Sequence, residues 1–281
     1  MNWRQFLTPV TSVDTDQAKS YLADKKVDDV TILDVRQPKE YEAGHIPGAV
    51  LAPLPELTDH MPRIDRTKPV LVYCASGGRS RMAAQLLSGQ GFDHIINVAG
   101  GFNAWTSEAA FLGEEKGLAL FDGVTSVENA LVVAYSLEAG LKDFYDTMAV
   151  KVDSDPARQL FHQLSQIEVK HQDRILEQYT ELTGKPVTRD TFEAQQVPEV
   201  LEGGLTTEEY ANLLMPSYDT VPEIIELAMS IEAQALDLYL RAADKAQNEA
   251  GKKALIQIAN EEKAHLARLG QLMEETVGQE A

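Results

Sequence analysis

A constant offset of 94 residues constrains most strongly how this chain can fold. Glu138 and Tyr145 recur as Glu232 and Tyr239, and Glu168 and His171 recur as Glu262 and His265. The flanking text repeats as well, with Ser136-Leu-Glu-Ala-Gly-Leu-Lys-Asp-Phe-Tyr145 matched by Ser230-Ile-Glu-Ala-Gln-Ala-Leu-Asp-Leu-Tyr239. Each repeated residue sits in an apolar stripe that steps by three and four. The stripes are Leu131, Ala134, Glu138, Leu141, Tyr145; Phe161, Leu164, Glu168, His171, Ile175; Ile225, Ala228, Glu232, Ala235, Tyr239; and Leu255, Ile258, Glu262, His265, Leu269. That spacing predicts four amphipathic helices, over 126–150, 156–183, 221–247 and 250–276, whose seams face a common core.

The punctuation agrees with four helices. Thr125 with Glu128, and Thr220 with Glu223, read as capping boxes, and Asp155-Pro156 reads as an N-cap followed by proline in the first turn. Gly184 and Pro186 close the second helix. Short loops join helices one to two and three to four. A connection of about 35 residues, with a short helix near 207–214, crosses between the pairs, as up-down bundles with one long crossover require.

Each seam carries a glutamate at its centre. One unpaired buried carboxylate costs several kcal/mol, and four together repel one another. Two divalent cations would neutralise four carboxylates, and two imidazoles would complete the set. Glu138, Glu168, His171, Glu232, Glu262 and His265 are therefore the candidate metal ligands of a carboxylate-bridged pair of ions. The same argument selects Glu262 over Glu261, which points off the seam. Glu-x-x-His spacing is cheap by itself, because Glu42 and His45 also show it inside a Gly-His-Ile-Pro-Gly turn. His45 and His162 are read as structural or surface residues. Tyr145 and Tyr239 are read as core residues that hydrogen-bond to a ligand.

Upstream the pattern changes. Residues 30–35, 70–73 and 95–98 are short β-rich runs separated by helical stretches such as 79–90, which predicts an α/β domain with a parallel sheet. The only cysteine, Cys74, follows the second run directly. It opens the loop Cys74, Ala75, Ser76, Gly77, Gly78, Arg79, Ser80, which leads into a helix. A thiol between strand end and helix start faces unpaired N–H groups, which favour thiolate and can cradle an anionic sulfur adduct. Gly77 and Gly78 would let the loop curl, and Arg79 and Arg81 add positive charge. An inert buried thiol is the bland alternative.

Four ordered motifs here resemble the rhodanese family of sulfurtransferases: Leu33-Asp-Val-Arg36, Gly44-His-Ile-Pro-Gly-Ala49, the Cys74–Arg79 loop and Ala99-Gly-Gly-Phe-Asn-Ala-Trp105. The resemblance implies that Cys74 becomes a persulfide and passes its outer sulfur onward, with Arg79 catalytic and Ala75, Ser76, Gly77, Gly78 and Ser80 binding the substrate. A small sulfur donor and a thiol or cyanide-like acceptor would be the partners. The six-residue loop is like that of sulfur-handling members, whereas related phosphatases carry one residue more. Asp34 and Arg36 are expected to be structural.

The second half resembles the ferritin-like superfamily, closest to rubrerythrin-type domains. This implies two iron ions, or manganese, with Glu168 and Glu262 bridging, Glu138 and Glu232 terminal, and one nitrogen from each histidine. Such carboxylate-rich sets suit iron or manganese better than zinc or copper. Peroxide or dioxygen and an external electron donor would be its partners, and a homodimer is the expected assembly. Two features depart from the family. One cysteine cannot build a four-cysteine rubredoxin iron site, and Ala235 stands where an extra glutamate is usual. An iron-binding or storage protein with a sulfur-sensing module is the alternative function.

Gly113, Gly117 and Gly123 mark residues 113–124 as a linker between a domain at 1–112 and one at 125–281. The first part holds 11 Lys+Arg against 13 Asp+Glu, and the residues from 113 on hold 14 against 31. A half so acidic repels phosphate, which argues against nucleic acid. With no apolar signal core and no apolar run near membrane-spanning length, a soluble cytoplasmic protein without membrane partners is expected.

Overall fold

A computed structural model describes residues 10–106, 109–110, 114–122, 124, 126–194 and 220–280. The chain divides into two compact units, Met1–Leu112 and Gly113–Ala281.

The first unit is built on a five-stranded, all-parallel sheet in the order β1-β5-β4-β2-β3. The strands are β1 (Thr11–Val13), β2 (Thr31–Asp34), β3 (Val50–Leu51), β4 (Val70–Tyr73) and β5 (Ile95–Val98). Helices α1 (Thr15–Ala23), α2 (Pro38–Glu42), α3 (Leu57–His60) and α4 (Gly78–Gly89) connect them. Both sheet faces are covered, which a parallel sheet requires. Val70 and Val72 of the central β4 pack with Ala83, Ala84 and Leu87 of α4 on one face. Leu71 and Tyr73 pack with Ala18, Tyr41 and Ile46 on the other. The edge strands β1 and β3 have no counterpart in the sequence reading. Two or three residues carry too little alternation to signal a strand.

The Asp34–Arg36 pair lies at the end of β2 and is almost fully buried. Arg36 donates from Nε and Nη2 to the Asp34 carboxylate, at 2.9 and 2.6 Å, and from Nη2 to Gly44 O at 2.7 Å. Its guanidinium also lies 4.2 Å from the Phe102 ring. These contacts pin the turn after β2 to the sheet, in the structural role expected for the pair.

In the second unit, α6 (Val127–Lys151) and α7 (Asp155–Thr183) form one antiparallel hairpin, and α9 (Val221–Lys245) and α10 (Glu249–Glu280) form the other. Two shorter helices, α5 (Glu114–Ala119) and α8 (Arg189–Glu193), accompany them. Leu141, Phe144, Tyr145, Phe161 and Leu164 meet Ile224, Ile225, Ala228, Ile231 and Leu269 in a single apolar core. Among the described residues no helix is long and apolar enough to cross a membrane.

Several local readings need correction. Ser126 caps α6 by accepting from Asn129 N at 3.2 Å, so the cap lies one residue beyond Thr125. Ser154, not Asp155, caps α7, and Asp155 sits in the first turn, where its charge still complements the helix end. The Thr220–Glu223 box is present, with Thr220 N donating to Glu223 Oε2 at 3.2 Å. Gly184 ends α7 in the left-handed region at φ 67°, which suits glycine. The segment expected as a linker contains α5. Leu118 and Phe121 are buried there, and Phe121 sits edge-on to Tyr239. The short helix expected near 207–214 lies outside the described residues. The crossover instead shows α8, whose Phe192 packs on Tyr135 and Tyr179.

Candidate metal centre and sulfur site

The six repeated residues converge at the middle of the bundle, one carboxylate from each long helix and one imidazole each from α7 and α10. Glu138, Glu168 and Glu232 are fully buried, and Glu262, His171 and His265 nearly so. Their donor atoms form three overlapping triads, Glu168–His171–His265, Glu138–His171–Glu262 and Glu232–Glu262–His265. Within each triad the atoms lie within 4.8 Å of one another. The two imidazoles are perpendicular, with centroids 5.2 Å apart. His171 Nδ1 lies 3.1 Å from Glu168 Oε2 and 3.3 Å from Glu138 Oε2, and His265 Nδ1 lies 2.7 Å from Glu232 Oε1.

These side chains are poorly satisfied by protein groups. Among the described residues, no well-formed hydrogen bond reaches either carboxylate oxygen of Glu168, Glu232 or Glu262. Burial, reinforced by Glu232 and Glu138, drives the Glu168 carboxyl well above its ordinary range. Burial and Glu138 do the same to Glu262. Burial also works to raise Glu232, but neighbouring His265 outweighs it and holds that carboxyl below its usual value. At His171, burial opposes the charge, and the carboxylates of Glu262 and Glu138 override it and favour the imidazolium. Four buried carboxylates held by two imidazoles are short of positive charge. A pair of divalent cations fits this donor set.

Around the centre, Tyr239 donates to Glu138 Oε1 at 3.5 Å, which is the kind of hydrogen bond the sequence suggested for both tyrosines. Tyr145 is buried against Phe144 and Phe161. Ala235 is completely buried, so the seam offers no extra carboxylate there. His162 and Glu42 are exposed. His45 lies beyond α2, stacks on Tyr41 at 3.6 Å and contacts Tyr41 O through Nδ1 at 2.9 Å. It takes no part in the metal cluster.

The second site forms where β4 hands over to α4. Cys74 is 1 % exposed. Its sulfur accepts from Gly77 N at 3.1 Å and lies 3.6 Å from Ser80 Oγ. Burial opposes ionisation of this thiol, but Ser80, through its hydroxyl and its backbone N–H, and the N–H groups of Ser76 and Gly77 outweigh it and lower the pKa. Gly77 is the glycine the loop needs, at φ 99°. Gly78 is the first residue of α4, with an ordinary backbone and open space around it, so the expected role for two glycines is met by one.

Arg79 is not free to face the sulfur with its whole charge. It donates from Nη1 and Nη2 to the Glu40 carboxylate, both at 2.7 Å. The Arg79 hydrogen bond holds Glu40 down at about 2, and Glu40 in turn raises the guanidinium. Arg81 is exposed.

Sequence reasoning missed the support of this loop. Asn97 on β5 lies 2.7 Å from Ser80 Oγ through Oδ1, and donates from Nδ2 to Ser12 at 3.1 Å. Gly101, at φ 57°, backs the loop so closely that a Cβ there would sit 2.1 Å from Cys74 O. Phe102 N donates to Cys74 O at 2.7 Å and Asn103 N to Ala75 O at 2.9 Å. The Ala99-Gly-Gly-Phe-Asn run was the available signal, since adjacent glycines suggest close backbone approach.

The thiol's surroundings set an expected pH profile. Thiolate should persist below the ordinary thiol pKa of about 8.5. Alkylation of Cys74 by iodoacetamide should therefore show a midpoint below that value. In Ser80→Ala the midpoint should move up by about one pH unit, the scale of a lost hydrogen bond to a charged group. An unmoved midpoint would mean that Ser80 does not stabilise the thiolate.

A parallel α/β unit with a cradled thiol, followed by a four-helix bundle with six buried metal-type donors, defines a sulfurtransferase-like domain joined to a ferritin-like one. The chain belongs to the rubrerythrin family: the family model described as Rubrerythrin matches residues 129–273, and that described as Rhodanese-like domain matches residues 14–108. A protein named Sulfurtransferase from Allochromatium vinosum is 35 % identical over 96 residues, covering 34 % of this chain and 88 % of that protein. YrkF of Bacillus subtilis, named as a candidate sulfur carrier protein, is 42 % identical over 79 residues. That match covers 28 % of this chain and 43 % of YrkF, so the chain spans less than half of that relative. Among solved structures, a rhodanese-like domain protein from Staphylococcus aureus is 32 % identical, covering 37 % of this chain and 95 % of that one, with a TM-score of 0.32.

Proposed function

We propose that the chain is a persulfide-forming sulfurtransferase whose second domain carries a di-iron site that reduces peroxide or dioxygen, in sulfur or oxidative-stress handling. The observation that carries the metal half is the set of four buried carboxylates beside two imidazoles; three of the carboxylates, Glu168, Glu232 and Glu262, have no well-formed hydrogen bond among the described residues. Glu138, Glu168, His171, Glu232, Glu262 and His265 would hold the ions, and iron there would supply electrons one at a time to a bound oxidant. The protein's part is to keep the six donors converged, to exclude bulk water and to orient Glu138 through Tyr239.

In the first domain, the Cys74 thiolate attacks the outer sulfur of a small donor. A new S–S bond forms, and the old bond breaks, its electron pair leaving with the donor's remainder. The N–H groups of Ser76, Gly77 and Ser80 hold the negative charge of the resulting persulfide. An acceptor thiolate then attacks the outer sulfur, which restores the Cys74 thiolate and releases a new persulfide. Arg79 would attract an anionic donor, and Glu40 would moderate that attraction. Glu40→Gln should therefore lower KM for an anionic donor by roughly three- to tenfold with kcat unchanged, the signature of a change in ground-state attraction. A higher KM would mean that Glu40 instead holds Arg79 in its working position.

The test of the joint function uses full-length chains. Iron-loaded protein should consume peroxide in the presence of a persulfide reductant, the Cys74→Ser chain should lose sulfur transfer alone, and the metal-ligand variants should lose peroxide turnover alone. Accumulation of many irons per chain without peroxide turnover would favour storage instead.

A further inference from the structure

The two candidate metal-binding imidazoles form the floor of a cavity of about 60 Å³ between α7 and α10. His171 and His265 are respectively 6 % and 4 % exposed, so the cavity gives the centre a narrow opening toward solvent. Its wall carries Lys170, Arg174 and Arg268, against the single carboxylate of Glu261. Arg174 Nη1 lies 3.5 Å from Glu261, which leaves Lys170 and Arg268 as the excess charge among these wall residues. This excess stands out in a half of the chain with 31 acidic and 14 basic residues. Three of those basic side chains line one opening over the metal-type donors.

We propose that this cavity is the inlet through which a small sulfur anion, of hydrosulfide size, reaches the metal pair. The inference rests on the metal-site reading above. Cationic walls in a cleft focus the field and raise the local concentration of anions. They repel metal cations, so the inlet does not serve for loading, and a neutral peroxide gains nothing from them. A volume of about 60 Å³ open to the centres of water-sized groups exceeds the roughly 10–15 Å³ that one water needs, so a small anion has room there. Sulfur is the favoured anion because the same chain carries the Cys74 site, whose proposed chemistry begins and ends with sulfur anions.

The test uses the full chain loaded with cobalt(II), which reports anion binding in its visible spectrum and is not reduced by hydrosulfide. Metal content is counted first. Azide and sodium hydrosulfide are then mixed in rapidly at low and high salt. Both association rates should fall about tenfold with salt, and about tenfold at low salt in Lys170→Gln/Arg268→Gln. The charge-conserving Lys170→Arg/Arg268→Lys chain should recover the rate. Glu261→Gln should change it in the opposite direction, about threefold faster, which misfolding would not produce. Rates indifferent to salt and to all three variants, with metal fully loaded, would overturn the inlet while leaving the metal site standing. Azide following the pattern while hydrosulfide does not would overturn the sulfur assignment. A chain that takes up no metal would sink both readings before any anion is added.

Discussion

A chain carrying Glu168→Ala and Glu262→Ala is expected to bind no metal, where the unmodified chain should hold close to two ions. The two carboxylates come from opposite hairpins, and each belongs to at least one donor triad. Their removal leaves three triads with none intact. Metal content per chain, counted after anaerobic Fe(II) loading and desalting, is the direct measure. Stability gives a second readout. Ions present at a thousand times their Kd stabilise a protein by about 4 kcal/mol. For a domain of this size that corresponds to a melting temperature higher by about 8–16 °C. Chelation should remove this gain from the unmodified chain and change nothing in the double variant. Equal melting curves with and without chelator in both proteins would contradict a structural di-metal site.

The gain from metal should also depend on pH, and its sign follows from the carboxyls. Glu168 and Glu262 sit above their ordinary range because burial disfavours their charge. Without metal they retain protons at pH values where free carboxylates have lost them. A metal must displace those protons, so apparent affinity rises with pH and falls as the medium is acidified. Loading the chain at a series of pH values and locating the half-loaded point would measure this competition.

Cys74→Ser should abolish sulfur transfer, lowering the rate by about a thousandfold or more, because a hydroxyl cannot form the persulfide. Metal content should be unaffected. Cys74 is the only cysteine in the chain, so mass spectrometry after incubation with a sulfane donor offers an unambiguous check. The unmodified chain should gain one sulfur and the variant none. A variant that still gained sulfur would place the nucleophile elsewhere.

Much of this architecture was legible before folding. Helix period and caps located the long helices to within a few residues, because each is an amphipathic stripe that needs a core. The 94-residue repeat singled out the six candidate donors that converge in the bundle, because a glutamate on an apolar seam is too costly to be incidental. The cradle of Cys74 was anticipated in kind, since a strand leading into a helix presents N–H groups wherever it occurs. The misses have common physical causes. Edge strands β1 and β3 are set by pairing with β5 and β2, not by their own two or three residues. Helix α5 owes its place to Leu118 and Phe121 finding a surface to cover, which glycine-based punctuation cannot reveal.

By itself the sequence determined the two fold classes, the identity of the thiol and which six residues are the candidate donors, because periodicity and burial cost are local properties of a chain. Tertiary structure alone decided the Glu40 clamp on Arg79, the Asn97–Ser80 support of the sulfur, the close backing of the loop by Gly101 and the cationic wall over the histidines. Each depends on residues distant in sequence meeting at hydrogen-bond or ion-pair distance, and no pattern along one strand or helix encodes which partner will arrive there.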